Sequence, residues 1–552
     1  MGSSKILSVT LNHFLYNAAI LGFYNIIRDE PGVKIQNNSL SFPANIFDDF
    51  EDKYISKMIN TFGHTTIYSE ILQRYRSIKN TPITEETEKK IEEFFDYSTD
   101  KLTRASYMSG YDIINKSENG TKVDVPKILK EIRKAKDNRA KIEMFAAIEE
   151  YLEENKETLC MKDIMYTNIT SFWQGISFLH RQNQKEDIKA CYKEYFVDPA
   201  IKYVNKTSKG KFNCIECSAP ITQSESFGMA WLNDVGIDLK RKKSYYWNFK
   251  PDSFLCPVCN LIYSCIPLGF VTIGKEGLFI NDNSDFDTLV SCNSTEGLQV
   301  SSIYEAENKI YGRLLARLTQ QADTILAKRE IQNIQVIRRK YYGDDKIRYE
   351  LNTLSFERLN VLKDRQKDFN FLTGFSLNID QEYVNIYDQV ISNFFAGRNQ
   401  FSLLYKILTL AFTDPSVNKI PYAASILRIQ AATRKGGNKL GVSLMNLRKM
   451  QKDGYKLRMM LSSQTLETLE KEQSMRTHEN DIDNKLRGYA YHLLNALKTR
   501  NKENFMDIIL RMYTGLGQPV PDLFIEMLKD EQAFLELGYA YLIGLKGENP
   551  NN

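Results

Sequence analysis

Histidine, tryptophan and long apolar runs are what this chain has least of. Five histidines (His13, His64, His180, His478 and His492) and three tryptophans occur in 552 residues. No two histidines form an HExxH, HxxxH or other close pair, and neither GxSxG nor a Walker sequence is present. The short motifs of a zinc protease, a serine hydrolase or a P-loop nucleotide site are therefore missing. No stretch of about 18 uninterrupted apolar residues exists, which excludes a spanning helix. The run from Ile6 to Phe23 is broken by Asn12, His13 and Asn17 and is followed by no small-residue cleavage site, so no signal peptide is read there. A cytoplasmic protein with no membrane partner is expected.

What is present is length and an even charge balance. A chain of this size outgrows a single core, and two to four domains are expected. The net charge of +4 arises from 73 basic against 69 acidic residues, so only local clustering bears on partners. Lys, Asn, Ile and Tyr are abundant, as AT-rich coding produces by codon bias alone, and a lysine run by itself carries little weight. The eight cysteines are read as thiols or metal ligands, because a reducing compartment does not keep cystines.

The pattern along the chain predicts an α+β fold that is predominantly α-helical. Residues 5–28 read as an amphipathic helix and Val33 to Phe42 as a small hairpin around Asn37-Asn38. The expected divisions are a helix-rich N-terminal domain (1–205), a zinc-binding β module (206–300), a mixed helix and hairpin segment (301–415) and a C-terminal helical bundle (416–552). Strands are expected at Ile334 to Tyr342 and Lys346 to Leu354, around Gly343-Asp344-Asp345. The cations between Lys127 and Lys141 read as a solvated helix face, since Glu143 to Glu157 is acidic directly behind them.

Cys214-Ile215-Glu216-Cys217 and Cys256-Pro257-Val258-Cys259 form two CxxC knuckles with 38 residues (218–255) between them. Each knuckle aims two sulfurs at one point, and two knuckles supply the tetrahedral sulfur cage that Zn2+ favours. Four protein ligands leave no position for water, so the expected Zn2+ is structural. Cys265 lies near enough in sequence to substitute as a ligand, but a buried apolar role beside Ile266 is the reading adopted; Cys160, Cys191 and Cys292 read as core cysteines.

Two basic stretches are candidate nucleic-acid contacts. Lys240, Arg241, Lys242 and Lys243 precede Ser244 and the aromatics Tyr245, Tyr246 and Trp247, a pairing that suits phosphates and unstacked bases and equally a solvated turn. Farther on, Lys419, Arg428, Arg434, Lys435, Lys439, Arg448, Lys449, Lys452, Lys456 and Arg458 face a single acid, Asp453, between Lys419 and Met460. On a helix Arg448, Lys452 and Lys456 repeat every four residues with Lys449 alongside, while Leu440, Leu444, Leu447 and Leu461 fall on another face. Such a ladder can follow a sugar-phosphate backbone without reading sequence.

Paired carboxylates, which can hold catalytic metal ions, occur at Asp285 and Asp287, Asp344 and Asp345, and Asp481 and Asp483. Aspartates are also common at turns and helix starts, and that is the reading adopted; the chain is expected not to be an enzyme.

The paired knuckles in an otherwise helical chain of this length resemble the CXXC-CXXC family of CRISPR-associated proteins, large subunits of type I-B Cascade surveillance complexes. Asn17-Ala18-Ala19-Ile20-Leu21-Gly22-Phe23 is similar to the family's Asn-Ala-Gly-Ile-x-Gly signature, with Ala19 in place of glycine. Pro267-Leu268-Gly269-Phe270 follows the second knuckle as in relatives, and Gly538 to Leu545 (GYAYLIGL) resembles the closing helix. The resemblance implies a non-catalytic subunit that binds the 5' handle of crRNA and target double-stranded DNA and examines the flanking motif. It implies assembly with backbone, 5'-handle and small subunits, and recruitment of a separate helicase-nuclease that carries the chemistry. It also implies that the C-terminal part can be made separately from an internal start, for which Met445, Met450, Met459 and Met460 are candidates. Two other readings compete: a nucleic-acid-processing enzyme that docks through its zinc ribbon, and a DNA-binding regulator.

Overall fold

The computed structural model describes residues 5–117, 123–206, 210–236, 253–283, 285–294, 302–320, 334–342, 347–379, 382–414, 419–435, 442–468 and 475–547. Among them, helix predominates over several small sheets, as the sequence predicted. The chain forms two compact units: Met1–Glu296 with Asn333–Leu351, and Gly297–Gln332 with Asn352–Asn552.

In the first unit, β1 (Ile6–Thr10) pairs antiparallel with β3 (Ser39–Pro43), which also pairs with β2 (Lys34–Gln36). Asn37 closes the β2–β3 turn at φ 53°, a left-handed position that asparagine tolerates. The expected single helix over 5–28 is corrected: only α1 (Phe14–Ile27) is helical. Val9 and Thr10 suit an extended chain, and the ladder partner that makes them a strand lies about thirty residues away, outside any helical window. The main-chain N–H of Asn12 donates to Asn17 Oδ1 at 2.7 Å, closing the turn between strand and helix.

The helical part comprises α2 (Phe50–Phe62), α3 (Ile67–Lys79), α4 (Glu85–Leu102), α5 (Ala105–Lys116), α6 (Val125–Lys134), α7 (Asn138–Glu154), α8 (Lys156–Thr167), α9 (Ile188–Tyr192) and α10 (Asp198–Val204). Thr66, Thr84, Asp124 and Asp137 start α3, α4, α6 and α7 by accepting from otherwise unpaired N–H groups. Beyond them lie β4 (Phe212–Asn213), β5 (Pro220–Ile221), α11 (Pro257–Ser264), β6 (Val271–Ile273), β7 (Glu276–Asp282) and α12 (Phe286–Asn293). The expected strands β8 (Ile334–Tyr341) and β9 (Ile347–Thr353) form, and they complete a four-stranded sheet in the order β6-β7-β8-β9. Arg339 of β8, 1% exposed, ties this sheet to the helices: it donates to the carbonyls of Lys275 (2.6 Å) and Ser171 (2.5 Å) and lies over the Phe172 ring.

The second unit contains α13 (Ile303–Gln320), α14 (Phe356–Asp364), α15 (Gln366–Leu372), the hairpin β10 (Ser376–Ile379) and β11 (Glu382–Asn385), α16 (Ile386–Phe395), α17 (Phe401–Thr413), α18 (Ile420–Lys435), α19 (Leu444–Thr468), α20 (Met475–Lys498), α21 (Lys502–Gly515), α22 (Leu523–Leu528) and α23 (Glu531–Leu545). Every residue of α23 from Ala533 to Leu545 is buried. The inner face of α19 is Leu447, Met450, Gly454 and Leu457, whereas Leu444 and Leu461 are only half-buried. The expected leucine face is thus rotated toward Gly454, because only a glycine lets this helix approach α23 closely. A Cβ on Gly454 would stand 2.2 Å from the Tyr541 carbonyl oxygen, and one on Gly544 would stand 1.8 Å from that of Gln451.

The same device operates in the first unit. A Cβ on Gly22 would meet the Cys265 carbonyl oxygen at 1.9 Å, and one on Gly269 would meet that of Ala18 at 1.9 Å. Gly22→Ala must push α1 away, and chemical denaturation should record a loss of at least roughly 1–3 kcal/mol. Gly488→Ala, in open space on α20, should be neutral or stabilising by up to about 1 kcal/mol.

Asp163 of α8 supplies a pH-dependent term. Burial raises its carboxyl to about 6, opposed by the Tyr107 hydroxyl (2.7 Å) and the Tyr68 N–H (2.8 Å) that donate to Oδ2. A folded value above the unfolded one means the associated stability is full at low pH and is lost as pH rises through about 6. Between pH 5 and 7.5 the parent should lose about 1 kcal/mol from this group. Urea midpoints of Asp163→Asn at the two pH values should lack that component.

Candidate metal centre and basic helix

The first knuckle sits at the end of the short β4–β5 ladder, in which Phe212 pairs with Ile221 and Asn213 with Pro220. The Cys214 N–H donates to the Ala219 carbonyl at 2.9 Å and the Ser218 N–H to the Cys214 carbonyl at 2.9 Å. Ser218, at φ 57°, turns the chain back. The second knuckle, expected within a β module, instead opens a helix. Cys256 is the N-cap of α11, Pro257 occupies the first turn, and the Cys259 N–H donates to Cys256 Sγ at 3.4 Å. A main-chain bridge between Cys214 and Phe254, with the Ile215 N–H donating to the Phe254 carbonyl at 3.0 Å, brings the two knuckles together.

The four sulfurs of Cys214, Cys217, Cys256 and Cys259 all lie within 4.8 Å of one another, and Cys217 and Cys256 are 3.7 Å apart. Four sulfurs at 2.3 Å from a tetrahedral ion are separated by about 3.8 Å, so the set fits a metal such as zinc. Cys214, Cys256 and Cys259 are buried and Cys217 is exposed. Crowding sets the thiols against one another: contacts with Cys214 and Cys217, then burial, push Cys256 and Cys259 up, while contacts with Cys217 and Cys256 pull Cys214 down. A dication removes this conflict by allowing all four to ionise, and the α11 N-terminus favours the same charge.

Residues around the sulfurs orient them. The Tyr16 hydroxyl of α1 lies 3.0 Å from Cys259 Sγ. The Tyr263 hydroxyl donates to Glu216 Oε1 at 2.6 Å, and His13 Nε2 lies 3.2 Å from the same oxygen. The other end of α11 is equally held: Tyr54 (3.3 Å) and Trp173 Nε1 (3.1 Å) donate to the Ser264 carbonyl, and the Tyr192 hydroxyl meets Ser264 Oγ at 2.7 Å. These partners were not found from sequence, because only the fold brings them to a helix as much as 250 residues away.

Cys265 stands apart from the cluster. Its Sγ donates to the Leu261 carbonyl at 3.6 Å, and burial pushes its thiol up to about 12. Cys160, Cys191 and Cys292 are buried. Asp285 accepts from the N–H groups of Asp287 (3.2 Å) and Thr288 (3.0 Å), the work of a helix cap. Asp344 and Asp345 and the side chains of Asp481 and Asp483 lie outside the described residues.

Of the candidate nucleic-acid contacts, Lys240, Arg241, Lys242, Lys243 and Lys439 lie outside the described residues, as do the side chains of Arg434 and Lys435. Arg448, Lys449, Lys452 and Lys456 are all exposed on α19. Lys456 makes one long ion pair, 3.8 Å, with Asp453. Three further cations of the basic segment are bound internally. Lys419 donates to the Asp414 carbonyl at 3.0 Å, Arg428 grips Asp368 Oδ1 at 2.7 and 2.9 Å, and Arg458 reaches the Leu545 carbonyl at 3.4 Å. Among the described residues no helix is long and apolar enough to cross a membrane.

The site is thus a paired-knuckle module whose four cysteines fit a metal ion. Residues 207–271, which contain both knuckles and α11, match the family described as CRISPR-associated protein (Cas_CXXC_CXXC). No curated protein and no solved structure matches the chain. The match supports a CRISPR-associated protein with paired CXXC motifs.

Purified protein should carry about one zinc ion per chain. By elemental analysis Cys256→Ser should lose most of it and unfold at lower denaturant, whereas Cys265→Ser should keep it. Full zinc in Cys256→Ser would break the assignment of ligands.

Proposed function

We propose that the chain is the non-catalytic large subunit of a type I-B Cascade complex. In this reading the four cysteines hold a structural zinc ion, and the chain binds the 5' handle of crRNA and target DNA, recognises the flanking motif and helps recruit the helicase-nuclease. The single observation that supports it is the four-sulfur cluster inside the matched segment 207–271. The exposed cations of α19 support the nucleic-acid part, since their spacing favours phosphates over base edges.

Affinity purification of the tagged chain from cells carrying its own gene neighbourhood tests the reading. A guide RNA and several further Cas proteins should copurify. A lone chain free of RNA, with metal-dependent nuclease activity, would overturn it in favour of an enzyme.

The packing also ranks the internal starts. Met450 is buried on the inner face of α19, whereas Met445 is 62% exposed in its first turn. Starts at Met459 or Met460 would delete Leu447, Met450 and Gly454 and uncover α23. A C-terminal fragment should therefore begin at Met445, as read by intact mass, and should vanish when that codon is changed. A fragment beginning at Met459 or Met460 would contradict this.

A further inference from the structure

The second unit contains a cationic cleft beside an open aromatic stack. The cleft, of about 620 Å³, is lined by Lys363, Arg365, Lys367, Arg428 and Arg448 among others, with only Asp364 and Asp368 as acids. Asp368 is already engaged by Arg428 at 2.7 Å and Arg365 at 3.5 Å. Five cations against two carboxylates leave a net +3 in one concavity, and Lys363, Lys367 and Arg448 project their charge from exposed positions.

Next to the cleft, Tyr422 of α18 is stacked between two phenylalanines. Phe375 lies 3.4 Å away, centroid to centroid, at an interplanar angle of 1°, and Phe371 lies 4.6 Å away at 17°. Phe375 is buried, whereas Phe371, the outer ring of the column, is 47% exposed. Phe371 follows Lys367 by four residues on α15, which places ring and ammonium on one helix face, one turn or about 6 Å apart along the axis. Arg428, six residues after Tyr422 on α18, also lines the cleft.

We infer that this is a seat for single-stranded nucleic acid, in which an unpaired base extends the Phe371–Tyr422–Phe375 stack and the adjoining phosphates lie in the cleft. The inference rests on the nucleic-acid-binding reading above and sharpens it. A solvated cation patch explains the charge but not the open ring at the end of a stack. A base paired in a duplex has both faces covered by its neighbours and cannot occupy the position. Stacking is indifferent to base identity and the cleft offers point charges, so the seat holds a strand without reading it.

The test is fluorescence anisotropy of the purified chain with four labelled probes of equal length: oligo-dT, oligo-rU, an abasic DNA strand and a DNA duplex. Phe371→Ala should weaken binding of oligo-dT, oligo-rU or both by about tenfold and leave the abasic strand and duplex unchanged. Phe371→Trp should restore it. A loss confined to dT or to rU identifies the strand as DNA or RNA. Lys367→Ala should weaken all three single strands and reduce the salt slope for oligo-dT by about 1. Unchanged binding of dT and rU by Phe371→Ala overturns the inference, and so does an equal loss on the abasic strand. Either result leaves the Cascade reading standing if guide RNA still copurifies with the chain, whereas loss of copurification sinks that reading whatever Phe371 does.

Discussion

The burial of α11 is the constraint on which the first unit depends. A helix of eight residues is too short to persist alone in water, and all eight here are buried. Its N-terminal groups therefore need partners inside the protein, and so does the Ser264 carbonyl at the other end. The sulfur cluster supplies the first and the aromatic donors Tyr54 and Trp173 supply the second. An ion held by these four cysteines, worth about 10 kcal/mol or more in structural sites of this kind, would act on the centre of a large core rather than on a detached ribbon. Tyr16 lies on α1, which packs directly on the helix, and Trp173 donates to its C-terminal end.

Glycine solves the same steric problem in both units. Where α1 passes the turn after α11, and where α19 crosses α23, each chain presents a glycine to the opposite carbonyl. The two backbones then come closer than any side chain allows, and dispersion contacts on either side gain accordingly. In each case the helix drawn in carries groups the candidate sites use: Tyr16 on α1, and the cations opposite Gly454 on α19. The stretches 17–23 and 538–545, noticed in the sequence as signatures, acquire a physical meaning here. Gly22 and Gly544 are contact points, and Asn17 is a buried joint whose Nδ2 donates to Asn281 and Asn283, both at 2.7 Å.

The four-cysteine cluster was legible because a CxxC turn is a local device, and two of them need only one tertiary contact to converge. Helical segments and the β8–β9 strands were legible from periodicity for the same reason. What stayed hidden depended on distant partners. β1 is a strand only because β3 pairs with it. The second knuckle is helical because Pro257 and the apolar residues after it find cover on all sides. Phe371, Phe375 and Tyr422 give no signal in sequence, since about fifty residues separate the rings. The lysine-rich composition, discounted for codon bias, also concealed how differently individual cations are used.

That difference decides what the basic segment can do. Lys419, Arg428 and Arg458 hold helix ends and a buried carboxylate, and moving any of them would take a partner from its acceptor. Among the described residues Arg448, Lys449, Lys452 and Lys456 are exposed and do no more for the fold than offset the half-buried Asp453, and in water their charge is screened. Cations of the second kind release counterions when they meet a phosphate chain, which gives affinity without sequence preference. Discrimination between base sequences then has to come from groups that reach base edges, and an ammonium ladder with an aromatic face beside it is not such a group. On the proposed reading the second unit would hold a strand in place, and any reading of a flanking motif would have to be carried by other residues.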